Sequence, residues 1–333
     1  MPALAYSTEL TSRFRGLTRR DGLLLRGPAG WSEFSPFHEY DDWACVPWLR
    51  AAIDAATSGY PAPLRDRVRV NVTVPAVGPE RAHEIVSSSG CATAKVKVAE
   101  PSQTLAEAEE RLEAVRDALG PSGAIRIDAN GAWFVGEALA AIPRLDRAAG
   151  GLQYVEQPCE TVEELAAVRR AVGVPIAADE SIRRAADPMR VVRLAAADVI
   201  VLKVQPLGGV RACLDLAERA GLPVVVSSAL ESSVGIAAGV ALAAALPAAG
   251  VALAAGPLAS GLATVQLFGT DVADRPLLPE RGAVAVRAVE PALDNSTWLA
   301  DDATTSWWIE RARRVGELLT PEERQALAEL LAP

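Results

Sequence analysis

The sequence predicts an α/β protein whose main domain is a closed parallel barrel. From Val68 onward, short apolar segments alternate with helix-like segments, which is typical of parallel βα units. Eight such apolar segments occur within about 200 residues, and that number favours a barrel over an open sheet. The chain has 333 residues and is 50% hydrophobic, so it can bury a large core.

Each element of this repeat can be assigned from apolar runs bounded by turn residues. The predicted strands are 68–74, 93–98, 124–128, 152–156, 176–179, 199–204, 224–228 and 251–255. The predicted helices between them are 79–89, 105–119, 136–148, 162–172, 188–195, 210–220 and 233–246.

The two ends of the chain do not show this regular alternation of strand-like and helix-like segments. Residues 1–65 alternate irregularly between strand-like and helix-like pieces, and the segment Tyr60-Pro61-Ala62-Pro63 interrupts them. We therefore expect an N-terminal domain at 1–65 and a barrel domain at 66–281. The tail, 282–333, contains one strand-like segment and amphipathic helices. Because the barrel already has its eight strands, we expect the tail to pack on the N-terminal domain.

Composition excludes several classes of protein. A net charge of −9 and a pI near 5.0 provide no basic surface for nucleic acid or for an anionic membrane. The four cysteines lack CxxC spacing, and the start of the chain lacks a basic segment leading into an apolar run. We expect a reduced, cytoplasmic protein with no obligate protein partner. The uncharged stretch 232–270 contains Pro247 and has no Lys or Arg flank, so we expect it to be a buried helix and strand rather than a membrane span.

Lysine is rare in this chain. Only Lys95, Lys97 and Lys203 occur, whereas the remaining 30 of the 33 basic residues are arginine (33 − 3 = 30). A lysine loses its proton readily when it is desolvated or lies beside another cation, but an arginine stays charged. Lys95 and Lys97 share one face of a predicted strand because side chains alternate. We expect the two ammonium groups to lower each other's pKa, so that one amine can be neutral near pH 7.

Acidic residues end three consecutive predicted strands. They are Asp128, Glu156 and Asp179, and the carboxyl ends of barrel strands meet at one edge. Three neighbouring carboxylates repel one another unless a cation lies between them. Because His38 and His83 lie away from these strand ends, the donors are all oxygens, which favours Mg²⁺, or alternatively Mn²⁺, over zinc.

The lysines and acids together suit one kind of chemistry. Lys203 lies on the sixth predicted strand, opposite the second, so a carboxylate substrate at the metal would have an amine on each side. The metal would stabilise an enediolate after a lysine removes the proton alpha to the carboxylate. Each group has a structural alternative, such as a solvated KxK edge or a helix cap at Asp179. The agreement of six groups on five consecutive strands favours the catalytic interpretation.

Five segments around these groups resemble the muconate-lactonizing subgroup of the enolase superfamily. The resemblance implies a modified (β/α)₇β TIM-type barrel with an α+β capping domain formed by both termini. It also implies that Lys97 is the base, that Lys95 lowers its pKa, and that Lys203 faces the other side of the substrate. Asp128, Glu156 and Asp179 would be the metal ligands. The segments are Ala94-Lys95-Val96-Lys97, Asp128-Ala129-Asn130, Val155-Glu156-Gln157-Pro158, Ala178-Asp179-Glu180-Ser181 and Leu202-Lys203-Val204.

Within this subgroup, the segment 227–235 and the opening segments 17–23 and 31–36 are similar to o-succinylbenzoate synthases. That resemblance implies dehydration of 2-succinyl-6-hydroxy-2,4-cyclohexadiene-1-carboxylate in menaquinone biosynthesis. One lysine would remove the alpha proton and then protonate the departing hydroxide. Lys203 could then hold the ring by a cation–π contact. The alternatives are an N-acylamino-acid racemase or cycloisomerase and, in another class, a non-catalytic metal-binding scaffold.

The substrate contacts follow less directly from the sequence. Arg126 shares a strand face with Asp128, with a structural ion pair as its alternative, and the loop at 14–16 is expected to close over the substrate. The region 253–257 offers no acid for the amine of a dipeptide substrate, and the seventh strand offers no histidine base. The candidate contacts are Ser228, Glu231, Ser232, Gly261 and Arg126.

Overall fold

Seven parallel strands form a curled sheet that carries the residues singled out above. The computed structural model describes residues 3–14, 16–101, 103–248, 252–253, 256–294 and 297–332. The strands lie side by side in chain order, as expected for consecutive βα units. They follow an N-terminal meander, β1 (Ala3–Phe14), β2 (Leu17–Gly27) and β3 (Gly30–Phe34), and a short strand, β4 (Arg67–Arg69). The seven are β5 (Val72–Val74), β6 (Thr93–Lys97), β7 (Ala124–Asp128), β8 (Leu152–Glu156), β9 (Ile176–Ala178), β10 (Val199–Lys203) and β11 (Val224–Ser227).

Helices connect these strands and cover the outside of the sheet. The predicted helix at 188–195 is shorter than expected, because Pro188 and the left-handed backbone of Ala195 (φ 48°) confine it to one turn. The helices are α1 (Asp42–Ser58), α2 (Pro79–Ser89), α3 (Leu105–Leu119), α4 (Val135–Ala148), α5 (Val162–Ala171), α6 (Glu180–Arg183), α7 (Arg190–Arg193), α8 (Val210–Ala220) and α9 (Ser233–Ala245).

The barrel closes at a different place from the one predicted. Segment 251–255 was expected to be the eighth strand, but Ala252–Leu253 (β12) pairs antiparallel with Gly256–Pro257 (β13), while 251, 254 and 255 lie outside the described residues. The parallel contacts at the closure come from Ser260, which bridges Val70 between β4 and β5, and from Gly261, which bridges Ser227 of β11. The prediction was wrong because it followed apolar residues, whereas closure uses small residues.

Helix α9 explains the uncharged stretch of the sequence. All of its described residues from Ser233 to Ala244 are buried, so it lies inside the protein with no polar face. Among the helices that the structure describes, none is both long and apolar enough to cross a membrane. The expectation of a buried helix in this stretch is therefore confirmed.

The two ends of the chain pack together. A second apolar cluster joins Leu23 and Phe34 of the meander to Trp48 of α1 and to Trp308 and Leu327 of the C-terminal helices. The tail also returns to the barrel side, because β14 (Ala283–Ala285) pairs antiparallel with β4. The expected boundaries at 65/66 and 281/282 stay predictions. The C-terminal helices are α10 (Asp302–Gly316) and α11 (Pro321–Leu330).

Candidate active site

The carboxyl ends of β6, β7 and β8 bring the first lysines and acids into one network of ion pairs. The parallel register sets Lys97 beside Asp128 and Asp128 beside Glu156. The Nζ atom of Lys95 donates to Asp128 Oδ2 at 2.8 Å and to Glu156 Oε1 at 2.7 Å. The Nζ atom of Lys97 donates to Asp128 Oδ2 and to Asn130 Oδ1, both at 2.6 Å. These contacts agree with the predicted clustering.

A second ion-pair network lies at the ends of β9 and β10. Lys203 Nζ donates to Asp179 Oδ2 at 2.6 Å, and Arg183 Nε donates to Asp179 Oδ1 at 3.0 Å. Sequence reasoning did not single out Arg183. The signal was present, however, because Arg183 follows Asp179 at the i,i+4 spacing that brings two side chains together on a helical turn.

The ion pairs at the ends of β6, β7 and β8 shift the pKa values of three of their members. Burial alone would lower the pKa of Lys95, but Asp128 and Glu156 outweigh it and raise that pKa well above its ordinary value. The expected mutual lowering between Lys95 and Lys97 therefore does not describe Lys95 in this network. Burial and the nearby Asp128 raise the pKa of Glu156 to about 7. Burial opposes ionisation of Asp128 too, but the two lysines hold its pKa well below the usual range.

In the ion-pair network at the ends of β9 and β10, burial and the attraction of opposite charges shift the two pKa values in a different way. Burial lowers the pKa of Lys203, and the attraction of Asp179 offsets this only in part. Burial would raise the pKa of Asp179, but Lys203 and Arg183 outweigh it and hold that pKa below its ordinary value. Lys203 is thus a buried amine whose proton is held less tightly than usual.

All three lysines line one small cavity at this edge of the barrel. Two predicted substrate contacts, Ser228 and Gly261, line it as well. A Cβ atom on Gly261 would lie 2.6 Å from Ser227 Oγ, so the glycine permits the close approach that completes the wall. Of the remaining lining residues, four lie in segments that carried the resemblance, whereas Thr73 and Thr264 were not singled out from the sequence. Thr73 lies on β5, directly beside Lys95 of β6. The four are Asn130, Ser227, Ala229 and Leu230.

The other three predicted contacts have different partners and do not line this cavity. Arg126 is fully buried and donates to Ala259 O at 2.8 Å and to Tyr154 Oη at 3.1 Å, so neither contact is the ion pair considered from the sequence. Glu231 accepts from Ala229 N at 2.7 Å. Ser232 caps the N-terminus of α9, and its hydroxyl donates to a carboxylate of the N-terminal meander.

The side chains at the strand ends offer carboxylate oxygens, which are suitable ligands for a hard divalent cation. They are buried carboxylates on three neighbouring strands, and oxygen is the ligand that Mg²⁺ and Mn²⁺ prefer. Within the described ranges, however, no group of three or more His, Cys, Asp or Glu side chains is arranged to hold a metal ion. Asp128, Glu156 and Asp179 each form an ion pair with a lysine.

Comparisons with known proteins decide the family. The model of the Enolase C-terminal domain-like family matches residues 79–291, and that of the Enolase N-terminal domain-like family matches residues 5–56. This chain belongs to the enolase superfamily. The family and the fold class predicted from the sequence are confirmed. Enzymes of this superfamily are metal-dependent, in agreement with the oxygen donors described above.

Relatives within the superfamily narrow the assignment. The chain is 60% identical over 308 residues to o-succinylbenzoate synthase of Thermobifida fusca, covering 90% of this chain and 94% of the relative. It is 51% identical over 304 residues to o-succinylbenzoate synthase of Mycolicibacterium smegmatis, covering 90% of both chains. These relatives confirm the predicted enzyme class, a carbon–oxygen lyase.

Solved structures of other enolase-superfamily members share the fold. Muconate lactonizing enzyme from Pseudomonas fluorescens, complexed with muconolactone, aligns with a TM-score of 0.70 at 18% identity, over 92% of this chain and 97% of the other. The L-Ala-D/L-Glu epimerase from Bacillus subtilis aligns with a TM-score of 0.69 at 22% identity, over 87% and 96%. At these identities the likeness concerns the fold alone.

Proposed function

We propose that this protein dehydrates 2-succinyl-6-hydroxy-2,4-cyclohexadiene-1-carboxylate to o-succinylbenzoate, a step of menaquinone biosynthesis. The observation that carries this proposal is the 60% identity, over 90% of the chain, to an o-succinylbenzoate synthase. The site supports it, because three lysines line one cavity beside three buried carboxylates. The substrate is a small carboxylate, and the reaction takes place in the cytoplasm.

Lys97 is the proposed proton carrier. Its Nζ atom is held between Asp128 Oδ2 and Asn130 Oδ1, which fixes the amine at the wall of the cavity. In its unprotonated form Lys97 takes the proton alpha to the ring carboxylate. It then returns that proton to the departing hydroxide, so that one water leaves and the amine is restored. The net change is loss of water and formation of the aromatic ring.

The other charged residues bind and orient the substrate. Asp128, Glu156 and Asp179 would hold the divalent cation, for which we propose Mg²⁺, with Mn²⁺ as the alternative. When bound, the cation supplies positive charge beside the substrate carboxylate. Lys95 keeps the acids in place and adds positive charge next to Lys97. Lys203 faces the ring as a cation and need not exchange a proton.

The test measures o-succinylbenzoate formation by the purified protein with Mg²⁺. We expect turnover by the natural sequence and a loss of about 10²–10⁴-fold in Lys97→Arg, because a guanidinium keeps the charge but cannot accept a proton. The matched variant Lys203→Arg keeps the cation that the proposal requires of it, so its loss should be smaller.

Two results would contradict the proposal. One is absence of dehydration by the natural sequence with either metal. The other is exchange of the alpha proton of N-acylamino acids in D₂O that outpaces dehydration, which would assign the site to racemisation. If Lys203→Arg lost more activity than Lys97→Arg, the roles of the two lysines would be exchanged.

A further inference from the structure

A buried carboxylate of the N-terminal meander reaches the barrel. Glu33, on β3, is only 3% exposed. Its Oε2 atom accepts from the backbone N–H groups of Ser232 and Gly235, each at 3.1 Å, and from the Ser232 hydroxyl. The first N–H groups of a helix lack partners within it, and the helix dipole favours an anion there. Glu33 therefore caps α9 from a different part of the chain.

The packing around this carboxylate is close. A Cβ atom at Gly235 would lie 2.8 Å from Glu33 Oε2 and 2.6 Å from the Cβ atom of Glu231. Tyr6 and Ser35 donate to the second oxygen, Oε1, at 2.8 and 2.6 Å. Both oxygens of Glu33 are thus engaged, and the carboxylate has little freedom to move.

Three further hydrogen bonds join β2 and the residue after β3 to the barrel mouth. Arg20 Nε, on β2, donates to the carbonyl of Leu230 at 3.0 Å, and Leu230 has a left-handed backbone (φ 66°). Ser35 N donates to Gln205 Oε1 at 3.1 Å, and Gln205 Nε2 donates back to Ser35 Oγ at 3.2 Å. Gln205 lies two residues beyond Lys203. The meander therefore holds the segments that follow both β10 and β11.

The segment that follows β11 forms part of the cavity wall. Ser227, Ser228, Ala229 and Leu230 line the cavity together with the three lysines, and Ser232 follows two residues later. Loss of the Glu33 contacts would release the end of this wall while leaving every lysine and every acid of the site in place.

We propose that Glu33 is a positioning residue, which fixes the cavity wall at 228–230 by anchoring Ser232 and the start of α9. This inference rests on the proposed function for its kinetic test. Misplacement of a bound substrate by about 1 Å can cost on the order of 10²-fold in rate. Glu33 does not contact the metal ligands, so metal affinity should be unchanged.

The kinetic test compares Glu33→Ala and Glu33→Gln with Asp21→Asn at saturating Mg²⁺. Asp21 is a partly buried carboxylate of the same sheet, but it bonds to His38 and Trp308 rather than to the barrel loops. We expect kcat/KM to fall at least tenfold in Glu33→Ala, mainly through a lower kcat, and to recover partly in Glu33→Gln. Asp21→Asn should stay within about twofold of the natural protein.

A second measurement does not depend on activity. Hydrogen exchange of the amides at 228–235 should be at least tenfold faster in Glu33→Gln than in Asp21→Asn, while exchange in β6–β8 is the same in both. Equal exchange at 228–235 would overturn the positioning role, as would a loss of kcat/KM in Asp21→Asn equal to that in Glu33→Gln. Should the natural protein lack dehydratase activity, the proposed function would fail, and the exchange measurement would still test the anchor. Glu33→Gln decides the matter if Glu33→Ala does not fold.

Discussion

Replacing Glu231 with glutamine should change how the stability of this protein depends on pH. Glu231 is 4% exposed, and burial, with a smaller contribution from Glu33, raises its pKa from 4.5 to about 7. A pKa raised by this much corresponds to about 3 kcal/mol of unfolding free energy. Because the folded state holds this proton more tightly than the unfolded state, the natural protein loses that stability as pH rises from about 4.5 to 7.

Glutamine has no proton to lose, and its carbonyl oxygen can still accept from Ala229 N. We therefore expect the unfolding free energy of Glu231→Gln to exceed that of the natural protein by about 1 kcal/mol at pH 5 and by about 3 kcal/mol at pH 8. Urea unfolding at pH 5, 6, 7 and 8 measures this difference. The titration of Glu156 is common to both proteins and cancels. An exposed control, Glu218→Gln, should show no pH-dependent difference.

The reasoning would be refuted if Glu231→Gln were no more stable than the natural protein at pH 8, or if its advantage were the same at every pH. The first result would mean that the Glu231 carboxylate is not destabilised by its surroundings. The second would mean that the substitution acts through packing rather than through charge.

Three other predictions concern the barrel. Arg126→Met should lower the unfolding free energy by about 2–3 kcal/mol, because buried acceptors lose a charged donor, and it should change kcat/KM less than threefold. A large rise in KM with normal stability would instead assign Arg126 to the substrate. Gly261→Ala should lower the unfolding free energy by about 1–3 kcal/mol and reduce turnover, because the added Cβ meets Ser227. The control Gly136→Ala has open space around the added Cβ and should lose no stability. Equal effects of the two substitutions would contradict this. Mg²⁺ at 100 times its dissociation constant should stabilise the protein by about 2.7 kcal/mol in a thermal melt, and a melt indifferent to both Mg²⁺ and Mn²⁺ would argue against a metal at Asp128, Glu156 and Asp179.

Much of the fold and the core of the candidate site could be predicted from local sequence. The βα alternation is a short-range pattern, and parallel strands in chain order place their ends side by side. Asp128 and Glu156 thereby become neighbours without any knowledge of distant contacts. The scarcity of lysine in the chain then identifies the amines that face these acids.

What could not be predicted depends on contacts between segments far apart in the chain. Closure of the barrel by Ser260 and Gly261 is governed by space beside Ser227, which no apolar pattern encodes. The anchoring of Ser232 by Glu33 joins residues 199 positions apart. The expectation for the pKa of Lys95 considered only its neighbour on the strand, whereas the acids on two adjacent strands determine the result.

The meeting of the two chain ends bears on how the protein is synthesised. The meander leaves the ribosome before Trp308 and Leu327, which complete the apolar cluster against it. The apolar side of β2 and α1 therefore lacks its C-terminal packing partners while the barrel is translated. Such exposure invites aggregation and chaperone binding. A nascent chain stalled before residue 302 would carry a complete barrel sequence and an N-terminal sheet without its cover.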